Sequence, residues 1–567
     1  MRRLLLAAVA ATLVVPSTAH GADPIMPLAD VQPGMRCTAL SVVRGTAIES
    51  FDVEVLDVID RERGPEVARI LVRVSGPAID ATGLGPGFSG SPVFCVGADG
   101  VRRNIGALSE TIGEYGGKTA IATPIEAILA QPVQPPGAAP RASQIIGARS
   151  LAGPLTISGL QPSIATMFTR AARKAGRQLI SSPAAPRASF PTQPLVPGAA
   201  VSVGLSSGDV YIGALGTVAY ADDDSDVWLF GHGVDDVGRR SLFLQDAYIS
   251  TVVNNPTAIP DVSTYKLGSP GTDVGIVNAD GPKAIAGRLG ALPPNYGLRI
   301  SAHDLDTGRE RSSFTRIADE SDIGRPAGIS PLGVVATAAV AEVAAQVLGG
   351  APARQSGQMC VAVTLRELRS PMRFCNTYAI DGTVTNALAG PAAQDMAAAV
   401  AVLESYRFGT LHPSAIDVGL RVRRGLRQAF IVGGRGPDRA RRGTRIAIHL
   451  KLRRTGTGAR ATRTIHMRIP SDLAPGPHTI RLAGTPADIG SNPDEQADVS
   501  VLFEEAPGAD QDPGAESLGA VRSDFEDLGR YDGIIASISD RPEVDVYRDP
   551  KLRITGEART RVTITRR

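Results

Sequence analysis

The sequence predicts a mainly β protein divided into several domains. Aromatic residues make up only 4% of the chain, whereas glycine, at 62 residues, and proline, at 42, are abundant. Short runs alternate apolar and polar side chains and are cut by Gly- and Pro-rich turns, and helical spacing is confined to a few segments. The 567 residues leave room for about three or four domains at roughly 150 residues each. One common core is not expected at that size.

Residues 1–22 have the layout of a secretory signal: Arg2 and Arg3, the apolar run Leu4 to Val15, then small residues up to Ala22. The run is too short to span a bilayer, and no Cys stands at the junction for lipid attachment. Cleavage after Gly21 or Ala22 is expected. No later run reaches the roughly twenty apolar residues of a membrane span, so the mature chain is expected in a periplasm, on the cell envelope or in the medium. Lys and Arg, 59 together, nearly balance 57 Asp and Glu, and the cluster between Arg435 and Arg445 reads as a solvated loop. Neither nucleic acid nor an acidic membrane is an expected partner.

Four cysteines, Cys37, Cys95, Cys360 and Cys375, suit an oxidising compartment. Three pairings exist. Cys37 with Cys95 and Cys360 with Cys375 is favoured because each pair falls within one predicted domain, although sequence alone does not fix connectivity. The spacings match no zinc pattern, and no metal or organic cofactor is expected.

Residues 23–130 read as strands and turns, with Phe51-Asp52-Val53-Glu54-Val55 and Ala68 to Val74 as alternating runs and a short helix starting at Thr123-Pro124. Residues 131–197 read as a Pro- and Gly-rich linker holding a helix near Ile164–Gly176. A second strand set fills 198–330 and runs through Val227 to Phe230 into Gly231-His232-Gly233. Helices near Leu332–Leu348 and Ala387–Tyr406 bracket a hairpin over Met359–Tyr378 in a mixed region, 331–410. Residues 411–487 read as a β-sandwich-like domain, and 488–567 as a flexible acidic segment with a C-terminal tail.

Gly87-Phe88-Ser89-Gly90-Ser91-Pro92 is the segment best suited to nucleophilic chemistry. An acyl-transfer serine needs an exposed hydroxyl and backbone N–H groups aimed at the developing oxyanion, and flanking glycines permit the required turn. By analogy with the Gly-Asp-Ser-Gly-Gly-Pro segment of trypsin-like enzymes, the N–H groups of Gly87 and Ser89 would form the oxyanion hole. Phe88 stands where those enzymes carry an acid, so their activation by pairing that acid with a newly cut N-terminus has no evident counterpart. Ser89 needs a base. Among the histidines of the mature chain, His303, His412, His449, His466 and His478 have nothing local to mark them, whereas His232 lies between two glycines at the end of an apolar strand.

Together these segments resemble the SpoIVB serine peptidase family, whose members combine a Gly-x-Ser-Gly-Ser-Pro segment with a Gly-His segment. Pro33-Gly34-Met35, Ile48 to Val55, Ile105-Gly106-Ala107 and Thr123-Pro124-Ile125-Glu126 are similar to its serine-bearing half. Ala214-Leu215-Gly216-Thr217, Phe230 to Gly233 and Gly275-Ile276-Val277-Asn278 are similar to its histidine-bearing half. The serine half comes first, as in permuted, longer members, and no segment resembles the PDZ module of the sporulation peptidase.

The resemblance implies a chymotrypsin-like double β-barrel assembled from two sequence segments. It also implies an endopeptidase in which Ser89 attacks a protein or peptide substrate, the chain itself included, and His232 is general base. At the family's acid position this sequence has Gly76. Asp80 is the expected substitute, with Asp52, Asp235 and Asp236 as alternatives. The rival expectation is a secreted or cell-envelope binding protein that keeps the barrels without turnover. An α/β-hydrolase esterase lacks both its Gly-x-Ser-x-Gly elbow and its strand/helix alternation here.

Overall fold

The computed structural model describes residues 22–113, 115–135, 148–150, 154–183, 190–254, 264–324, 329–349, 352–382, 388–484, 499–503, 514–529, 533–539, 541, 544–549 and 551–565. The expected signal segment through Gly21, residues 136–147 of the expected linker and most of 488–513 lie outside the described residues. Strands make up 50% of the chain and helices 16%. The protein is mainly β, and two closed six-stranded barrels dominate its first half.

The first barrel comprises β1 (Arg36–Val42), β2 (Ile48–Ile59), β3 (Arg69–Ser75), β4 (Pro92–Val96), β5 (Arg102–Ile112) and β6 (Thr119–Pro124). They pair in the order β4-β1-β2-β3-β6-β5, and β5 returns to β4 to close the ring. Alternation sets which side chains point inward: Phe51, Val53 and Val55 are buried while Asp52 is exposed and Glu54 half-buried. Phe51, Val53, Val72, Phe88 and Val93 share one core. Bulges at Val55/Asp57 and Leu108/Glu110 supply the bending that closure needs. The Cys37–Cys95 disulfide joins directly opposed residues of β1 and β4.

The second barrel comprises β7 (Ala200–Gly204), β8 (Tyr211–Ala221), β9 (Asp226–Leu229), β10 (Gly238–Asn254), β11 (Thr264–Asp280) and β12 (Ile285–Leu289). Its ring runs β7-β10-β11-β12-β9-β8, with β8 paired back onto β7. Strands Leu155–Ser158 and Leu179–Ser182, joined through the helix Pro162–Lys174, extend the sheet from β8. Part of the expected linker therefore belongs to this barrel. Four-residue strands are too short to show an alternating pattern between Pro-rich stretches.

The hairpin β10–β11, 17 residues in each arm, outgrows its own barrel and lies across the first one. Gly45 and Ile249 exchange both backbone hydrogen bonds. Asn254 Nδ2 donates to Ala81 O at 2.7 Å and Thr264 Oγ1 to Thr82 O at 2.9 Å.

Beyond the barrels, helices Pro331–Val347 and Ala389–Ser405 share a continuous apolar core with a six-stranded sheet. Pro413–Arg424 lies inside that sheet, between Asn295–Asp304 and Arg354–Leu365, so the boundary expected at 411 moves to the start of the next sheet, near Gln428. The Cys360–Cys375 disulfide joins opposed residues of the hairpin Arg354–Leu365/Met372–Asp381.

A four- and a five-stranded sheet then pack around a separate core that includes Ile448, Leu450, Ile480, Leu482, Ile534 and Ile564. Strands Gly533–Ile538, Val544–Arg548, Arg553–Thr555 and Glu557–Thr565 complete this sandwich, which corrects the expected tail. The apolar run Gly533-Ile534-Ile535-Ala536-Ser537-Ile538 lies between Val544–Arg548 and Gly476–Gly484, the latter on the other side of the acidic segment. No helix among the described residues is long and apolar enough to cross a membrane.

Candidate active site

The serine segment forms a tight loop entering β4, and the carbonyls from Pro86 to Ser89 are all hydrogen-bonded. Pro86 O accepts from Lys266 N at 2.9 Å and Ser89 O from Thr217 N at 2.8 Å. Gly87 O accepts from Thr217 Oγ1 at 3.1 Å and Phe88 O from Ser91 Oγ at 2.7 Å. The N–H groups of Gly87 and Ser89 donate to no backbone acceptor among the described residues. Two N–H groups free of backbone acceptors beside a serine hydroxyl are what an oxyanion hole requires.

Phe88 anchors the loop by burying its whole side chain in the first-barrel core, a burial that contributes about 1.5–3 kcal/mol. Gly87 (φ +93°) and Gly90 (φ +85°) occupy the left-handed region. At Gly90 a side chain is also excluded by space, since a Cβ would lie 2.0 Å from Thr217 O and 2.6 Å from Phe230 N. The serine loop is thus seated against the second barrel.

His232 lies in the turn between β9 and β10. Phe230, fully buried, and Gly231 both have positive φ, +66° and +70°. A non-glycine residue in that conformation costs about 1–3 kcal/mol and persists only where its surroundings fix it. Here Thr123 Oγ1 donates to Gly231 O at 2.7 Å, and Asp280 accepts from the N–H groups of Val234 (2.7 Å) and Asp235 (2.9 Å). His232 Nδ1 is 2.6 Å from Gly233 O. Since a carbonyl only accepts, Nδ1 carries the proton and Nε2 is left as a bare acceptor. Burial, opposed by that hydrogen bond, pushes the imidazole pKa down to about 4.

The two loops meet at the seam between the barrels. Leu108 O accepts from Gly90 N at 2.8 Å, and a Cβ on Gly231 would stand 3.4 Å from the same oxygen. Ser89 Oγ and His232 Nε2 are both buried, and neither has a hydrogen-bond partner among the described residues. The expected Ser89–His232 hydrogen bond is therefore not formed. Ser89 has no exposed surface and His232 is 8% exposed, so the seam is closed to a polypeptide in this conformation.

Among the described residues no carboxylate takes the place of a triad acid on the His232 ring. Asp80 is at the surface, with Lys118 Nζ 2.6 Å from its carboxylate. Asp52 points to solvent from β2. Asp235 pairs with Arg177 at 3.1 Å and Arg240 at 3.5 Å, and Asp236, at φ +54°, packs beside Gly233. The Gly233 carbonyl does locally what the acid was expected to do, fixing the tautomer and the ring.

Three side chains that sequence reasoning did not select complete the site. Asp280, buried and pushed up to about 6 by that burial, holds the histidine loop. Thr217 and Lys266 hold the serine loop. Thr217 falls in a family-like segment but has no spacing that marks it, and Lys266, between Tyr265 and Leu267, has the look of a solvent-facing strand lysine. Among the described residues no cluster of His, Cys, Asp and Glu could hold a metal ion. Fold and site together define a double-barrel protein with a serine and a histidine facing one seam. Comparison with family models, curated proteins and solved structures gave no match.

Proposed function

We propose that the protein is an exported serine endopeptidase similar to the SpoIVB peptidase family. The single observation that carries this is the presence of two buried, unpartnered groups, Ser89 Oγ and His232 Nε2, on loops that both come close to the Leu108 carbonyl. Unsatisfied buried polar atoms cost about 1–3 kcal/mol each. Retaining both at one seam suits a hydroxyl that surrenders its proton to an imidazole once substrate enters.

In this reading Ser89 Oγ attacks the scissile carbonyl, the N–H groups of Gly87 and Ser89 receive the oxyanion, and His232 Nε2 takes the proton and returns it to the leaving amine. Water then resolves the acyl-enzyme. Two disulfides and the signal-like N-terminus support an oxidising, extracytoplasmic location. The complete burial of Ser89 favours the second reading, a scaffold or binding protein on the same barrels.

Labelling separates the two. A serine-directed phosphonate should attach covalently, with the adduct located on Ser89 by peptide mass spectrometry. His232→Gln should slow both labelling and hydrolysis of an unfolded protein by about 10²–10⁴-fold, the usual contribution of general-base catalysis. The wild-type rate should rise through about pH 4, where the buried imidazole loses its proton, rather than near the ordinary 6.5. Unlabelled wild-type protein with no hydrolysis would leave the scaffold reading.

A further inference from the structure

Behind the serine loop lies a buried cation with no anionic partner among the described residues. Lys266, on β11, is 3% exposed. Its stem packs flat on Gly87, where a Cβ would come within 2.8 Å of Lys266 Cβ. Its Nζ lies 2.6 Å from Ser41 Oγ, 3.3 Å from Thr217 Oγ1 and 4.5 Å from the centre of the Phe88 ring. Those three neighbours match the three N–H bonds of an ammonium, two hydroxyl oxygens and one aromatic face.

Each neighbour is part of the serine loop or grips it. Phe88 precedes Ser89, Thr217 Oγ1 donates to Gly87 O at 3.1 Å, and Ser41 Oγ lies within hydrogen-bond distance of Ser91 Oγ, 3.0 Å away. We propose that the Lys266 ammonium is the internal cation that sets the oxyanion-hole loop, in the role a newly cut N-terminal ammonium has in trypsin-like enzymes. It acts through Thr217, Ser41 and Phe88 and is a positioning residue. This inference rests on the peptidase reading of Ser89.

The substitution of Phe88 for an acid then has a physical counterpart. A carboxylate needs a cation delivered to it after cleavage, whereas an aromatic face together with two hydroxyls suits a lysine already in the fold. The device is sensitive to pH. Burial alone pushes the Lys266 pKa down to about 7. No carboxylate, imidazole or second cation faces Nζ from β1, β8 or the serine loop among the described residues; the facing groups are Ser41, Thr217 and Phe88. Loss of the proton removes one donor and the attraction to the ring, so the loop should loosen as pH rises through about 7.

The test uses Lys266→Met, which keeps the packed stem without the charge, in the full-length exported protein. Hydrolysis of an unfolded protein is followed from pH 5 to 9, and hydrogen exchange of the peptide spanning residues 84–92 over the same range, corrected for intrinsic rates. Wild type should lose activity above about pH 7 as exchange in that peptide rises. Lys266→Met should be about 10–100-fold slower in kcat with KM little changed, since the oxyanion donors are displaced rather than deleted. Its alkaline decline should vanish, and its exchange at pH 6 should match that of wild type at pH 8.

Wild-type kcat and wild-type exchange in the variant would overturn the role of Lys266. A pH-dependent exchange shift that disappears in Lys266→Met, without any Ser89-dependent hydrolysis by wild type, would keep the cation's hold on the loop and remove the peptidase reading instead.

Discussion

Ser89→Ala is expected to abolish hydrolysis while leaving the protein at least as stable as wild type. Removing a nucleophile that works as a unit with its base costs on the order of 10⁶-fold in kcat. The stability side follows from the geometry. Ser89 Oγ is buried without a partner among the described residues, so its removal relieves an unsatisfied polar group and should raise the unfolding free energy by about 1 kcal/mol. Loss of turnover together with a higher melting temperature is what a functional rather than structural serine predicts. A variant of unchanged activity would sink the mechanism, and a strongly destabilised one would mean that the hydroxyl has a structural partner.

Arg240→Ala is expected to be the most destabilising single change near the site. The guanidinium is 3% exposed in its side chain and makes a forked pair with Glu320, Nε to Oε1 at 2.8 Å and Nη2 to Oε2 at 3.1 Å. Burial disfavours its charge, but Glu320 and the nearby Asp280 and Asp235 more than compensate and raise its pKa. Truncation leaves Glu320, only 8% exposed, as an uncompensated carboxylate, at a cost of about 3–5 kcal/mol. Asp235 and Asp280 lose the same cation, so the turn carrying His232 should loosen too. Fluorescence of Trp228, the one tryptophan in the sequence, reports unfolding of this barrel directly. The double replacement Arg240→Met with Glu320→Leu should recover most of the loss, because an apolar pair of similar volume requires no desolvation of charge.

The strands of the barrels were legible because they alternate, whereas their closure into two barrels was expected only from the family resemblance. Phe51-Asp52-Val53-Glu54-Val55 declares its inner face, and the glycines around Ser89 and His232 mark turns that must lie close to other backbone. Both disulfides followed from placing each cysteine pair within one domain. Other features were hidden for reasons that local pattern cannot overcome. The strand Leu155–Ser158 is too short to show a period, and Gly533–Ile538 joins the sandwich through Gly476–Gly484, across the acidic segment.

Residues around Lys266 show the same limit within the site. In Thr264-Tyr265-Lys266-Leu267-Gly268 the polar positions look outward by composition, yet Thr264, Lys266 and Gly268 are the buried set and Tyr265 and Leu267 the half-buried one. The seam between two barrels is an interior with a polar lining, which a rule built on one core and one solvent face reads the wrong way round. The acid was sought as a side chain, whereas the group that fixes His232 is a backbone carbonyl, which no residue type can signal.

The reach of the β10–β11 hairpin onto the first barrel bears on when the chain becomes competent. Lys266 and Ser41 are 225 residues apart, and contacts closed over such a span form late. The serine loop is synthesised well before β11, so its backing by Thr217 and Lys266 is complete only once the second barrel has formed.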